Sequence, residues 1–298
     1  SEMRRRAERL VARAPHPSFL YLHTMDLHGP YLPPQDLLPE DYRPDDFLSY
    51  FSLLRLAGAG SLETSGHESE VLNLQQRYAA ELRFTDEELG RLFDRFDAAG
   101  LWEESLVWIL SDHGESFGEQ GFAGHGGRNM TSSVLHVPLV LKPPRSWRLG
   151  PGRVEVPVST VDVLPTTLGL LGLPQPRLRL GTDLTPLLRG GSVDREFTVI
   201  SQATAGTTRI LACFEGHWKL ELEIDTGNSR VIRTSLYNLA TDPEQRVDLR
   251  RAHPTVVAGL QKKIRTFLAT ENRAFYEKLH EQLDQQTREQ LQRLGYVE

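Results

Sequence analysis

A single cysteine, Cys213, in 298 residues excludes an intrachain disulfide framework and any cysteine-rich zinc cluster. No apolar run approaches the roughly 18 residues that a transmembrane helix needs. The first residues, SEMRRRAERLVARAP, are polar and basic, unlike a secretory leader. The chain reads as soluble; a leader removed upstream would leave no trace, so the compartment stays open. A dense basic patch is also missing: 34 Lys and Arg stand against 40 Asp and Glu, for a formal net charge of −6. That sets nucleic-acid binding aside. What is there is ordinary globular composition, 39% hydrophobic and 25% charged, long enough to bury one large core or two unequal ones.

Along the chain, strand and helix signals alternate. Residues 4–14 mix Arg with Leu, Val and Ala and stop at Pro15-His16-Pro17, as a short amphipathic helix does. The compact apolar run 19–22 (FLYL) predicts a strand. From Pro33 to about Gly66 the composition is that of a long surface excursion, with one short helix near 46–56. Val71, Leu74, Tyr78, Leu82, Leu89, Leu92, Phe93 and Phe96 recur at helical spacing, and Gly100 is a fitting C′ residue. The run 105–110 (SLVWIL) is continuously apolar, as a parallel strand covered on both faces is. Further runs at 137–141 and 154–158 predict strands, and 161–171 a helix ending at Gly172. Residues 1–190 therefore read as part of an α/β sheet domain. Strand-like segments at 197–201, 208–214, 218–224 and 231–237 then predict a small antiparallel sheet. A polar helix from about 254 to 294 closes this second unit, residues 191–298, with Val257, Leu260, Ile264 and Phe267 on one apolar face.

In open α/β sheets ligands collect beyond the carboxyl ends of the strands. Two polar segments stand there, 23–31 (HTMDLHGPY) and 111–115 (SDHGE). Asp112 and His113 suit a divalent cation, the carboxylate supplying charge and the imidazole a neutral donor. Taken alone, Asp-His-Gly also reads as a turn with the aspartate bonded to nearby amides. His125, within GHGG, lies where glycines let backbone approach a ligand and an imidazole can donate to an anion; the alternative is an exposed histidine in a flexible loop. His28 fits an anion contact or a general acid to a leaving oxygen, and equally a capped turn. Three such loops together are harder to dismiss than any one.

The order of these pieces resembles the sulfatase family of the alkaline-phosphatase-like superfamily. The matching residues are 23–31, 111–115, Gly118-Glu119-Gln120-Gly121, Gly124-His125-Gly126 and 136–140 (HVPLV). Downstream, 161–166 (VDVLPT) and 236–244 (LYNLATDPE) look like two further family motifs. The resemblance implies a partial sulfatase-like α/β sheet sandwiched by helices, plus the small antiparallel sheet with its terminal helix. It implies Asp112 and His113 as metal ligands and His28 as the histidine that contacts the sulfate ester and assists leaving-group departure. His125 stands where the family carries Lys or His against sulfate oxygens, and Asp26 joins His28 and His125 as substrate-binding residues. The implied metal is calcium; an imidazole ligand at His113 suits manganese and, better, zinc, and magnesium less. The implied substrate is a sulfate-ester small molecule or saccharide; oligomeric state is not readable.

Two departures are visible. Leu27 replaces a usual proline, and 128–133 (RNMTSS) replaces a segment that commonly reads like LYEE. The family's Cys/Ser-x-Pro-x-Arg stretch, source of the formylglycine nucleophile, is absent, as is the acidic pair that begins the metal site. Cys213 reads as a buried small apolar residue and Asp45-Asp46 as solvated charge. The expectation is the C-terminal portion of a sulfatase-like polypeptide that binds divalent cations weakly and has no turnover alone. Alternatives are a phosphodiesterase, phosphonate hydrolase or phosphoethanolamine transferase of the same superfamily, and a non-catalytic binding or scaffold protein derived from the fold.

Overall fold

The computed structural model describes residues 2–11, 17–42, 67–175, 181–193 and 198–270. Helix α1 (Glu2–Val11) packs on helix α2 (Glu68–Ala98), where the Arg4 guanidinium donates to Glu8 at 2.9 Å and to Glu88 at 3.0 Å. Gly100, at φ +68°, ends α2: its N–H donates to Asp97 O at 2.8 Å and that of Leu101 to Phe96 O at 2.9 Å, the paired bonds of a Schellman cap. The inward face of α2 differs from the one its apolar spacing predicts. Leu82 is 47% exposed, whereas Arg77, Glu81, Thr85 and Glu88 are buried beside Leu74, Ala80 and Leu92. Arg77 is held there by the Tyr31 carbonyl, Glu81 by the Leu32 backbone and Glu88 by Arg4 of α1.

From β1 (Val107–Leu110) the chain runs through a short ladder, β2 (Ser116–Phe117) and β3 (Ala123–Gly124), and a helical turn α3 (Ser132–Leu135). It returns as β4 (Leu139–Lys142), antiparallel to β1 with Leu110 opposite Leu139. This corrects the parallel, doubly covered strand expected of SLVWIL; Leu110 is 42% exposed. An all-apolar run has no alternation to record direction or face, and residues 111–138 fold back so that the next run arrives from the opposite end.

Residues 19–22 form no strand: Phe19 and Tyr21 stand 88% and 73% exposed and no ladder among the described residues pairs with them. Residues 154–158 form none either, and Pro157 removes a ladder donor from that run. Helix α4 (Val163–Leu170) is entered through buried Asp162, whose carboxylate accepts the N–H of Ser159 at 2.9 Å and of Thr182 at 2.7 Å; a helical turn α5 (Thr185–Leu188) follows.

The downstream strands match expectation closely. β5 (Thr198–Ala205), β6 (Thr208–Glu215), β7 (Trp218–Asp225) and β8 (Val231–Asn238) form one antiparallel sheet in sequential order. Leu211, Cys213, Leu220, Leu222 and Leu236 on one face pack against Leu260 and Ile264 of helix α6 (Pro254–Thr270), with Val257 and Phe267 alongside. Cys213 is thus the buried small residue expected. The opposite face sets Ile210 and Ala212 against Met130, which brings the sheet beside the segment that follows His125. The helix near 46–56, Asp45-Asp46 and the chain beyond 270 lie outside the described residues. Among the described residues no helix is long and apolar enough to cross a membrane.

Candidate active site

The SDHGE segment leaves β1 in a turn held by its own side chains. Ser111 Oγ donates to His113 O at 2.5 Å, and the His113 N–H donates to Asp112 Oδ1 at 2.9 Å. Gly114 then passes hard against α3. Its N–H donates to Val134 O at 2.7 Å, and a Cβ there would stand 2.0 Å from Ser133 O.

The three histidine loops meet. His125 stacks on His113 with ring centroids 3.9 Å apart and planes 24° apart, and His28 meets His125 edge-on at 5.4 Å. Nδ1–H of His113 donates to Gly114 O at 2.9 Å and that of His28 to Gly29 O at 2.8 Å. Each bond commits Nδ1 as donor and leaves Nε2 as the second functional nitrogen. Nε2 of His113 lies 3.8 Å from Asp112 Oδ1. Asp26, two residues before His28, accepts from Thr24 Oγ1 at 2.7 Å, and its charge acts on Glu81 of α2. Burial, with that charge, pushes the Glu81 carboxyl above the usual range, against a bond from the Leu32 backbone.

His125 is anchored from behind. Its Nδ1–H donates to Glu115 Oε1 at 3.2 Å, a bond that raises the imidazole's pKa; burial opposes it and the Glu115 and Asp112 charges add to it. The other Glu115 oxygen accepts Tyr31 Oη–H at 2.6 Å, and Tyr31 O in turn accepts from Arg77 Nε at 2.9 Å. Sequence pattern assigns no role to Glu115, Tyr31 or Arg77, although Tyr31 and Glu115 end the two motifs that flank the site. That terminal position is the available signal; nothing in the spacing of α2 marks Arg77.

Beneath the GHGG loop, the segment that departs from the family pattern supplies a buried polar net. Asn129 Nδ2 donates to Ser116 Oγ and to Gly124 O, each at 2.8 Å, while Thr131 Oγ1 donates to Asn129 Oδ1 at 2.7 Å. Within RNMTSS, the neutral side chains of Asn129, Thr131 and Ser133 bond to one another, while Arg128 pairs with Glu223.

Asp112 and His113 offer a carboxylate and an imidazole nitrogen to one point, which suits a divalent cation in donor chemistry. Two donors are part of a ligand shell, since a hard cation takes about six or more oxygen-rich ligands. Among the described residues no group of three His, Cys, Asp or Glu side chains is arranged to hold a metal. A raised, anchored imidazole, a second imidazole edge-on to it and a carboxylate–imidazole pair together suit an anionic ester with a cation at its oxygens.

The fold is mixed α/β, with three histidine-bearing loops brought together at one place. More narrowly, the chain belongs to the sulfatase family, whose model, Sulfatase, matches residues 2–173. The choline-sulfatase of Rhizobium meliloti (strain 1021) is 30% identical over 203 residues, covering 66% of this chain and 35% of that protein. The multifunctional alkaline phosphatase superfamily protein PehA of Trinickia caryophylli is 35% identical over 125 residues, 42% of this chain and 24% of its own length. The chain therefore spans about a quarter to a third of these relatives. The crystal structure of the phosphonate monoester hydrolase of Agrobacterium radiobacter superposes with a TM-score of 0.70 at 19% identity, over 89% of this chain and 59% of that one.

Proposed function

We propose that this chain carries the anion-binding and leaving-group side of a metal-dependent sulfate-ester hydrolase. The meeting of His28, His113 and His125 beside Asp112 is the observation that carries the reading. His125, its proton affinity raised by Glu115, donates from Nε2 to an ester oxygen. His28, in its doubly protonated form, passes its Nε2 proton to the departing alkoxide and is left neutral with Nδ1–H on Gly29 O. Asp112 and His113 hold a divalent cation in company with ligands outside the described set; when bound, that cation neutralises charge on the ester oxygens. Calcium, manganese, magnesium and zinc all accept such donors, with His113 favouring zinc or manganese.

The choline-sulfatase match favours a small sulfate ester. A phosphodiester or phosphonate substrate is the second reading; the match to PehA, a multifunctional alkaline phosphatase superfamily protein whose identity is the higher over a shorter span, favours a phosphatase-type ester over a sulfate. No Cys/Ser-x-Pro-x-Arg stretch occurs in the 298 residues, so we infer that the nucleophile comes from polypeptide beyond them.

The test is made on the purified chain. Manganese is expected to broaden the NMR signals of His113 and Asp112 with a Kd of roughly 10⁻⁴–10⁻³ M, at the weak end for oxygen-donor sites, and Asp112→Asn should abolish it. Neither 4-nitrophenyl sulfate nor a 4-nitrophenyl phosphodiester is expected to turn over. Robust hydrolysis would overturn the missing nucleophile, and unaltered His113 signals would overturn the metal role.

A further inference from the structure

The sheet β5–β8 supplies no member of the histidine cluster, yet one of its residues is aimed at the His125 loop. Lys219, on inner strand β7, is fully buried, on the face opposite Cys213 and α6. Its Nζ has three donors and finds three acceptors: Met130 O, Gln245 Oε1 and Glu221 Oε1, the last at 2.6 Å. Gln245, also buried, donates onward from Nε2 to Ser132 Oγ at 3.1 Å. Met130 and Ser132 lie in the segment whose Asn129 and Thr131 hold the GHGG loop from the other side.

A second observation places the same junction. Gln245 and Gln120 are two of the four non-glycine residues with φ near +55° among the described residues, a conformation that costs free energy and persists only where the surroundings enforce it. They face each other: Gln120 Nε2 donates at 3.0 Å to Glu244 O, in the peptide unit just before Gln245. Gln120 sits in the β2–β3 turn, four residues from the strand end that presents His125. The turn before His125 and the segment after it are therefore both tied to the turn after β8. Arg128 adds a third tie, 3.4 Å from Glu223 of β7.

We propose that Lys219 and Gln245 are positioning residues: the buried ammonium and the left-handed glutamine clamp residues 120–132 so that His125 is held over His113. Neither touches the ester in this reading, which rests on the role proposed for His125. A buried lysine serves mere stability poorly, because an apolar residue of similar volume in place of a buried charge is often neutral or stabilising. Burial pulls its ammonium below the ordinary lysine range, against the Glu221 carboxylate. Retaining it is consistent with a directional task.

The experiment compares wild type with Lys219→Met and Gln245→Ala by amide hydrogen exchange, and by titration of inorganic sulfate followed at the His125 imidazole signals. Both variants are expected to keep the protection of β6 and β7. Amide exchange over residues 121–133 should quicken about tenfold, and sulfate Kd should rise about threefold or more. Unchanged exchange there in a folded variant, or a rise shared equally by β6 and β7, would overturn the proposal. Should Lys219→Met fail to fold, Gln245→Ala decides alone. His125→Ala is the control on the underlying reading: if sulfate binding survives it, or is absent in wild type, the role of His125 falls while the exchange measurement still judges the clamp.

Discussion

Tyr31 and Glu115, 84 positions apart, share a hydrogen bond of 2.6 Å that joins the two site loops. Glu115 has its other oxygen on His125, and its side chain is only 6% exposed, so the tyrosine hydroxyl satisfies a carboxylate oxygen away from bulk water. Tyr31→Phe leaves that oxygen without this donor while keeping the ring against Tyr78 and Phe117. The expected cost is about 1–3 kcal/mol in urea-unfolding free energy, the penalty of an unpaired buried polar group. The His28 and His125 imidazole signals should shift as the loops lose register. A variant as stable as wild type with unshifted imidazoles would show that the bond does not join the loops.

Much of this site is legible in the residues alone. Asp-His-Gly after SLVWIL and the histidine between glycines mark residues that must sit on loops, and glycine-flanked turns put β5–β8 within a few residues of their observed bounds. Strand direction is not legible, because an all-apolar run such as 105–110 carries no alternation. Nor is the failure of 19–22 to form a strand, since a strand exists by virtue of a partner that local composition does not name. The ties among Arg77, Tyr31, Glu115 and His125 join positions from four separate segments, and only folding brings them together.

Gly114 and Gly90 offer a paired test of what each does. At Gly114 a Cβ would lie 2.0 Å from Ser133 O, a backbone atom that moves only with α3 and the polar net around Thr131. Gly114→Ala is expected to cost about 1–3 kcal/mol or more, as overpacking does, and to disturb His113. Gly90 lies inside α2, and a Cβ added there would meet nothing within 4 Å. Gly90→Ala should therefore stabilise by about 0.5–1 kcal/mol through helix propensity. Thermal melts of the two variants should move in opposite directions; a shared direction would refute the close-approach account of Gly114.

Asp242 caps the turn after β8, accepting backbone N–H groups of Arg246 at 3.0 Å and Val247 at 2.9 Å. These bonds hold its carboxyl below the ordinary 3.8. A depressed folded value means that the contribution is present above the unfolded value and is lost as pH falls through the folded one. The urea midpoint should therefore drop more steeply between about pH 4 and pH 2 in wild type than in Asp242→Asn. Parallel acid limbs in the two proteins would remove Asp242 from the account.

Cys213 turns the same linkage to alkaline pH. Its thiol is enclosed by Leu211, Leu220 and Ile264, and burial, helped by the Glu215 charge and opposed by Lys263, pushes it from 9.0 up to about 12. The folded state thus holds this proton more tightly than the unfolded chain does. Its contribution is complete below about pH 9 and is lost as pH rises toward the folded value. Because the thiolate is the nucleophile, native protein at pH 8 should leave an aromatic disulfide reagent unreacted, and urea-unfolded protein should consume one equivalent per chain. Cys213→Ser puts a hydroxyl in the apolar site without the alkaline titration. It should lower stability at neutral pH while making the decline above about pH 9 shallower than in wild type. Rapid labelling of the folded chain would mean that β6 opens from α6 far more readily than a core with Leu211, Leu220 and Ile264 all fully enclosed permits.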